Sequence, residues 1–291
     1  LVFPGPHLDG ESLLDLYQSE RVTLTAGVPT VWLNLLQSLE HSPQRWRLVP
    51  GMRMVVGGAA VSEAMIRAYD RLGLRVIHGW GMTETSPVGT VNCAAPEPGA
   101  ASAAEHYARR ARQGFPPPLF EVRAMGAERE APWDGNAMGE LQVRGPWVAA
   151  RYYRMDAEQW TADGWFRTGD IATIDPSGCV RITDRIKDLI KSGGEWISSI
   201  DLENALASHS EVAEAAVIAV PHPKWGERPL AVVVVKAGAA PSAEALRAHL
   251  APRFPAYWLP DRFVFVAEMP RTSTGKILKA ALRERYRELP Q

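Results

Sequence analysis

"GMRMVVGGAA" at residues 51–60, "VSEAMIRAYDRLG" at 61–73 and "LRVIHGWG" at 74–81 form the stretch whose reading decides the fold. The first piece is a short apolar run ending in small residues. The second carries apolar residues at helical spacing and stops at Gly73, and the third is apolar again. Strand, helix and strand in that order, with strands apolar throughout rather than alternating, predict a parallel sheet covered on both faces. Ligands in such sheets gather at the carboxyl ends of the strands. That places residues 57–60 and 78–84 on one functional rim.

Upstream, the same logic predicts a strand at 1–3 ("LVF"), a helix in "GESLLDLYQSE" (10–20), a strand in "RVTLTAGVP" (21–29) and a helix in "TVWLNLLQSLEH" (30–41). Downstream the character changes. Residues 94–140 are rich in Ala, Pro and Gly, with strand-like "FEVRAM" (120–125) and "GELQVRG" (139–145) between turns, which predicts a β-rich subdomain with long surface loops. A third region follows "ITDRIKDLIKSGGEW" (182–196). It should hold a helix in "SSIDLENALASH" (198–209) with Ser198 and Asp201 as a capping pair, strands at 215–220, 231–236 and 262–268, and helices at 242–250 and 277–289. The expected fold is therefore α/β, with a parallel-sheet subdomain (1–93), a β-rich subdomain (94–186) and a separate small α+β domain (187–291).

Composition narrows the function. With 291 residues, 46% hydrophobic, the chain can bury one large core or two ordinary ones. A net charge of -1 argues against a dedicated nucleic-acid binder. No apolar run approaches the roughly 20 residues of a membrane span, and nothing reads as a signal peptide. Cys93 and Cys179 lie too far apart for a CxxC pair or zinc knuckle, so two isolated buried thiols in a cytoplasmic protein are expected. All six lysines follow residue 186 although arginines occur throughout. That is either an accident of composition or a sign that some of them present a compact point charge that arginine cannot.

"PRTSTGKILK" (270–279) looks like half of a phosphate loop, but the glycine six residues before the lysine is Pro270 and the residue after it is Ile277. It is not a Walker loop. "HGWGMTET" (78–85) packs glycines around an aromatic residue ahead of a Thr–Glu pair at a strand end. There the backbone can approach a ligand, Trp80 can face a planar base, Thr83 a phosphate oxygen and Glu84 a magnesium ion. A turn around a core tryptophan is the plainer reading of the same residues.

Four motifs then occur in order: "GWGMTETSP" (79–87), "GWFRTGD" (164–170), "DRIKDLIKSGGEWIS" (184–198) and "PRTSTGKILK". Together they closely resemble the acyl-adenylate-forming superfamily of acyl-CoA synthetases, luciferases and peptide-synthetase adenylation domains. The wording is most similar to medium- and long-chain fatty-acyl-CoA synthetases. The resemblance implies that residues 1–186 belong to the large nucleotide-binding domain and 187–291 to a small mobile lid. It implies ATP/AMP, Mg2+ and CoA as the nucleotide, metal and thiol, with a fatty acid as the remaining substrate.

Roles follow by resemblance. Gly58, Ala59, Ala60, His78, Gly79 and Trp80 would line the adenine pocket. Thr83 would contact the α-phosphate and Glu84 the metal, while Asp170 and Arg185 would hold the ribose. Lys187 matches the hinge, and Lys191 and Trp196 fall where relatives contact the nucleotide. Gly193 and Gly194 would wall the thiol path. Lys276 resembles the mobile catalytic lysine that neutralises charge as a carboxylate attacks the α-phosphate.

The family's Ser/Thr/Gly-rich phosphate loop is not found in the chain, and Leu1 opens directly into an apolar segment, so a C-terminal portion of a longer enzyme is expected. The leading expectation is an acid–thiol ligase making acyl-CoA, with room for a homodimer of the full-length enzyme. An adenylation domain loading a carrier protein, or a fragment binding AMP or CoA without turnover, remain as alternatives. Basic residues 109–112 could meet CoA phosphates, although a solvated face is the simpler expectation.

Overall fold

A computed structural model describes residues 1–92, 102–126, 129–155, 158–272 and 276–287. Cys93, the Ala/Pro-rich residues 94–101, residues 273–275 and the end of the expected 277–289 helix lie outside the described residues. The chain divides into two compact units: residues 1–168 with 172–182, and residues 169–171 with 183–291. The second unit therefore takes over at Thr183, ahead of the boundary expected at Lys187.

The first unit begins without the strand expected at residues 1–3. Leu1 and Phe3 are exposed, and nothing pairs with them to make a ladder among the described residues. Helix α1 (Gly10–Ser19) follows, capped by Asp9, whose carboxylate accepts the Ser12 N–H. Next come β1 (Leu24–Gly27), α2 (Pro29–His41), β2 (Arg53–Val56), α3 (Glu63–Arg71), β3 (Arg75–Trp80) and β4 (Thr90–Asn92). β1, β2 and β3 are parallel neighbours in register Ala26↔Val55 and Val56↔His78, and β4 closes the edge antiparallel to β3. The expected parallel sheet is present, with one antiparallel edge strand added.

The helices bury one stripe each: Leu13, Leu14 and Tyr17 from α1, Trp32, Leu35, Leu36 and Leu39 from α2, and Met65, Ile66, Ala68 and Tyr69 from α3. These meet Met54, Val56 and Val76 of the strands in a single core. Each large side chain taken fully out of water contributes about 1.5–3 kcal/mol. The Tyr69 hydroxyl, buried with it, donates to the Trp32 carbonyl at 2.5 Å, as a buried polar group must.

An element missed in sequence is α4 (Ala103–Arg110). It has no fully buried residue and is held largely by polar contacts. Ser102 and Glu105 form a capping box, Arg110 pairs with Asp70 of α3, and the Arg67 guanidinium lies 3.9 Å over the Tyr107 ring. Arg112 meets Asp175 at 2.6 Å. Arg110 and Arg112 are thus committed to internal ion pairs, which corrects the expectation of a solvated basic face at 109–112.

The β-rich part contains β5 (Glu121–Met125), β6 (Gly139–Arg144), β7 (Phe166–Ile174) and β8 (Val180–Arg185), in sheet order β5-β6-β7-β8. Its core joins Phe120, Val122, Leu141, Val143, Phe166, Ile174 and Val180, with Trp80 and Met82 packed against it. Cys179 is a buried free thiol whose pKa burial raises.

In the second unit, β9 (Ile190–Ser192) and β10 (Glu195–Ile197) form a hairpin. After it come α5 (Ser199–Ala207), β11 (Val212–His222), β12 (Gly226–Val235), α6 (Ala243–Leu250), β13 (Arg262–Phe265) and α7 (Lys279–Tyr286). The sheet order is β10-β9-β12-β11, with β13 parallel to β12. Alternation along β12 sends Ala231 and Val233 to one core, under α5 and α6, and Leu230 and Val232 to another, under α7.

Candidate functional site

At or beside the carboxyl ends of β1, β2 and β3 the sheet carries glycines, the one on β1 backed by the Trp32 ring. Gly27 ends β1, Gly57 follows β2, and Gly79 lies in the last turn of β3. The Gly57 N–H donates to the Gly27 carbonyl at 3.2 Å. A Cβ on Gly57 would lie 3.5 Å from the Gly79 carbonyl oxygen. Gly58 and Ala59 are exposed beside this edge and Ala60 is partly so, so of the expected pocket residues these offer backbone to the outside.

His78 behaves differently. It is 2% exposed, and its Nδ1 lies 2.9 Å from the Ala111 carbonyl. Burial depresses its pKa from 6.5 to about 4, although carbonyl partners pull the other way. The ring is a neutral core group, and the residue meets the glycine edge through its backbone. Trp80 is half-buried against the β-rich core, with Gly89 against its ring, so its packing role is visible in the structure.

Thr83 and Glu84 sit on a single 3₁₀ turn, Thr83–Thr85. Its anchor is Thr85, fully buried, whose hydroxyl oxygen accepts the Met82 N–H at 2.8 Å and lies 3.0 Å from the Pro87 carbonyl. Gly81 is required by this packing, since a Cβ there would overlap the Pro87 carbonyl. Thr83 is left exposed. The Glu84 carbonyl accepts the Ala149 N–H at 2.8 Å, and its Oε1 accepts the Tyr152 hydroxyl at 2.6 Å. That bond raises the Tyr152 pKa. Tyr152 carries no sequence signal that would have picked it out.

The second unit holds the remaining candidates. Asp170 follows Gly169 (φ 72°), and its side chain is 4% exposed. Arg185 Nε lies 3.1 Å from its Oδ1, with the arginine half in solvent. The Gly169 carbonyl accepts the Ile186 N–H at 2.9 Å, so the Asp170 turn and the segment entering Lys187 are tied. Lys187 is exposed.

Gly193 and Gly194 form the two-residue turn of the β9–β10 hairpin with φ of 60° and 90°. Two positive φ angles in a two-residue hairpin loop are the condition that selects glycine. A Cβ on Gly193 would come 3.0 Å from the Trp225 ring, whereas one on Gly194 would meet nothing within 4 Å. Lys191 and Trp196 are directly paired across the same hairpin, the lysine exposed and the tryptophan half-buried.

Lys276 is exposed in a loop closed by its own backbone. Its N–H lies 3.2 Å from Thr272 Oγ1, its carbonyl accepts the Thr272 N–H at 2.8 Å, and the Leu278 N–H reaches the Pro270 carbonyl at 2.7 Å. The structure thus gathers residues 57–60, 78–80, Thr83 and Glu84 in one unit. In the other it places three separate features: the Asp170–Arg185 pair, the glycine hairpin and the Lys276 loop.

Among the described residues no cluster of three or more His, Cys, Asp or Glu could hold a metal ion, and no helix is long and apolar enough to cross a membrane.

Comparison with known proteins gives the frame for this arrangement. The chain is 51% identical over 291 residues to the long-chain-fatty-acid–CoA ligase of Thermus thermophilus, covering 98% of this chain and 53% of the relative. It is 43% identical to the 3-methylmercaptopropionyl-CoA ligase of Ruegeria pomeroyi, covering 99% of this chain and 54% of that one. The crystal structure of ATP-bound MatB from Rhodopseudomonas palustris superposes with a TM-score of 0.80 at 31% identity, over 96% of this chain and 54% of that chain. The chain spans about half the length of the curated relatives it matches. The family described as AMP-binding enzyme matches residues 1–153, and the AMP-binding enzyme C-terminal domain matches residues 201–276. The chain belongs to the AMP-binding enzyme family.

Proposed function

We propose that this chain supplies the glycine edge and the lid of an acid–thiol ligase that converts a fatty acid, ATP and CoA into acyl-CoA, AMP and pyrophosphate. The observation that carries this reading is the glycine edge at Gly57 and Gly79, where two parallel strands end, followed four residues on by Thr83 and an oriented Glu84. A planar base can lie against bare backbone there, with its phosphates led towards the Thr83 hydroxyl. The long-chain-fatty-acid–CoA ligase of Thermus thermophilus, 51% identical, supports the choice of acid.

In the first step a carboxylate oxygen of the acid bonds to the α-phosphorus and the bond to pyrophosphate breaks. Negative charge gathers between two anionic groups, and the Lys276 ammonium, carried on an exposed loop, is suited to offset it. Asp170 offers two carboxylate oxygens to the ribose hydroxyls, with Arg185 holding the carboxylate in place. In the second step the CoA sulfur bonds to the acyl carbon and AMP leaves with both electrons of the acyl–oxygen bond. We assign the path of the thiol to the Gly193–Gly194 turn, Lys191 and Trp196 to nucleotide contacts, and Lys187 to the hinge about which residues 187–291 turn between steps.

Magnesium characteristically takes one or two carboxylates plus substrate phosphates. Glu84, with Oε1 engaged by Tyr152 and its other oxygen left to a ligand, fits such a role. When bound, the ion would neutralise phosphate charge.

The test is acyl transfer from a supplied fatty acyl-adenylate to CoA. It is measured on this chain alone and on the chain combined with the remaining half of the Thermus thermophilus ligase. Acyl-CoA formation is expected in the combined sample. Transfer to a carrier protein but not to CoA would replace this reading with the adenylation-domain alternative.

A further inference from the structure

The second unit buries one ionic cluster to which the proposed reaction gives no task. Lys279, in the first turn of α7, places its ammonium 2.6 Å from Glu203 Oε1 and 2.7 Å from the Ser199 hydroxyl. The two charged side chains are 14% and 18% exposed. Glu203 Oε1 also accepts the Val217 N–H of β11 at 2.7 Å. Asp184, 1% exposed at the end of β8, accepts the N–H groups of Ser199 at 2.6 Å and of Arg185 at 2.7 Å. Asp188 receives Arg283 of α7 at 2.6 Å, and the Ser198 hydroxyl donates to the Thr183 carbonyl.

Three carboxylates thus surround two cations. Burial opposes the charge on Lys279, but Glu203 and Asp184 more than offset it and its pKa is raised. The group stays an ammonium. Apolar residues of similar volume would hold such a site at least as firmly as an ion pair. What the ionic version adds is fixed geometry among four segments: the end of β8, the start of α5, β11 and α7.

Two of those segments matter to the proposed reaction. Asp184 and Asp188 flank Lys187, and Lys279 stands three residues after Lys276, in register with a loop that Leu278 closes onto Pro270.

We propose that the Glu203–Lys279 and Asp188–Arg283 pairs, all of which follow Lys187, form an internal strut, with Lys279 a positioning residue that fixes the Lys276 loop to the hinge segment. A turn about Lys187 then carries Lys276 as part of one rigid piece. The proposal rests on the roles given above to Lys276 and Lys187.

Amide hydrogen exchange on this chain tests it directly. Lys279→Met should speed exchange at Thr272 and Leu278 and at Asp188 and Leu189 together, by about tenfold or more, while Ala231 and Val233 in β12 keep their protection. Lys279→Arg should restore most of the difference. Glu203→Gln provides a second route if the methionine variant does not fold. Unchanged exchange in the loop, a loop response without a hinge response, or acceleration throughout the unit would each overturn the strut.

A second arm uses the chain combined with the remaining half of the Thermus thermophilus ligase. There Lys279→Met should lower fatty-acid-dependent ATP–pyrophosphate exchange about 100-fold, with acyl transfer from supplied adenylate little changed and Lys279→Arg giving rescue. Parallel loss of both half-reactions contradicts a positioning role. If Lys276→Ala leaves pyrophosphate exchange intact, the reading of the site fails, and the amide data still decide the strut.

Discussion

Glycine is used in opposite ways in the loop after β3 and in the hairpin of the second unit. Gly81 is fixed by space, since any side chain would overlap the Pro87 carbonyl. Gly194 is fixed by backbone conformation alone, with φ at 90° and open space around it. The first lies in a loop pinned by the buried Thr85, the second at the tip of a turn. The loop after β3 is therefore a packed element that fails by unfolding. On the proposed function, the hairpin and the Lys276 loop present groups to the reaction and can fail in chemistry while the chain stays folded.

The largest effect that tests this contrast comes from the presenting side. Lys276→Ala, at an exposed position, should leave the unfolding free energy within about 0.5 kcal/mol of the parent. The same change should cut adenylation about 1000-fold and spare acyl transfer from supplied adenylate. Equal loss of both half-reactions would break the separation of the two steps.

On the packed side, Gly81→Ala should cost about 3 kcal/mol of stability, because backbone must move to admit the methyl group. Denaturant titration measures it, and a loss of unfolding free energy under about 1 kcal/mol would show the loop to be looser than its contacts indicate.

His78 gives a comparable signal that depends on pH. When folded it takes a proton only below about pH 4, whereas an unfolded histidine does so near 6.5. Between those values the unfolded chain binds the extra proton, so stability falls as pH drops through the window, by about 3 kcal/mol in all. His78→Gln should flatten that slope in thermal melts from pH 7 to pH 4; an unchanged slope would assign the acid sensitivity to other groups.

The smallest effect is expected at the hairpin tip. Gly194→Ala should cost about 1–2 kcal/mol from the positive φ alone, with no clash. The bulkier Gly194→Leu should add a block on the thiol step while sparing adenylation. Undiminished overall turnover in the leucine variant would remove the glycine wall from the account.

Legibility in the sequence followed the source of each element's stability. α2, α3, β2 and β3 were readable because they are held by apolar burial, which leaves a periodic trace. α4 left no such trace, since it has no fully buried residue and is held by Arg110–Asp70, the Tyr107–Arg67 contact and the partly buried Tyr107 ring. Its one local signal was the Ser102–Glu105 capping box, within a stretch whose Ala and Pro content reads as loop. The apolar residues 1–3 gave the opposite error, because hydrophobicity without a neighbouring strand makes no ladder.

At the site, motif order picked out Glu84, Asp170, Arg185 and Lys276. Tyr152, Lys279 and Arg283 depend on partners 68 to 95 residues away and became visible only in three dimensions. The glycines of "HGWGMTET" show a subtler limit: the sequence suggested backbone approach to a ligand, and for Gly81 the close neighbour is the protein's own Pro87.

The most direct test of the account is fatty-acid-dependent ATP–pyrophosphate exchange by this chain combined with the remaining half of the Thermus thermophilus ligase, run beside the Lys276→Ala variant. The account predicts exchange with the parent sequence and its loss in the variant. Exchange that survives Lys276→Ala, or none with either sequence, would contradict it.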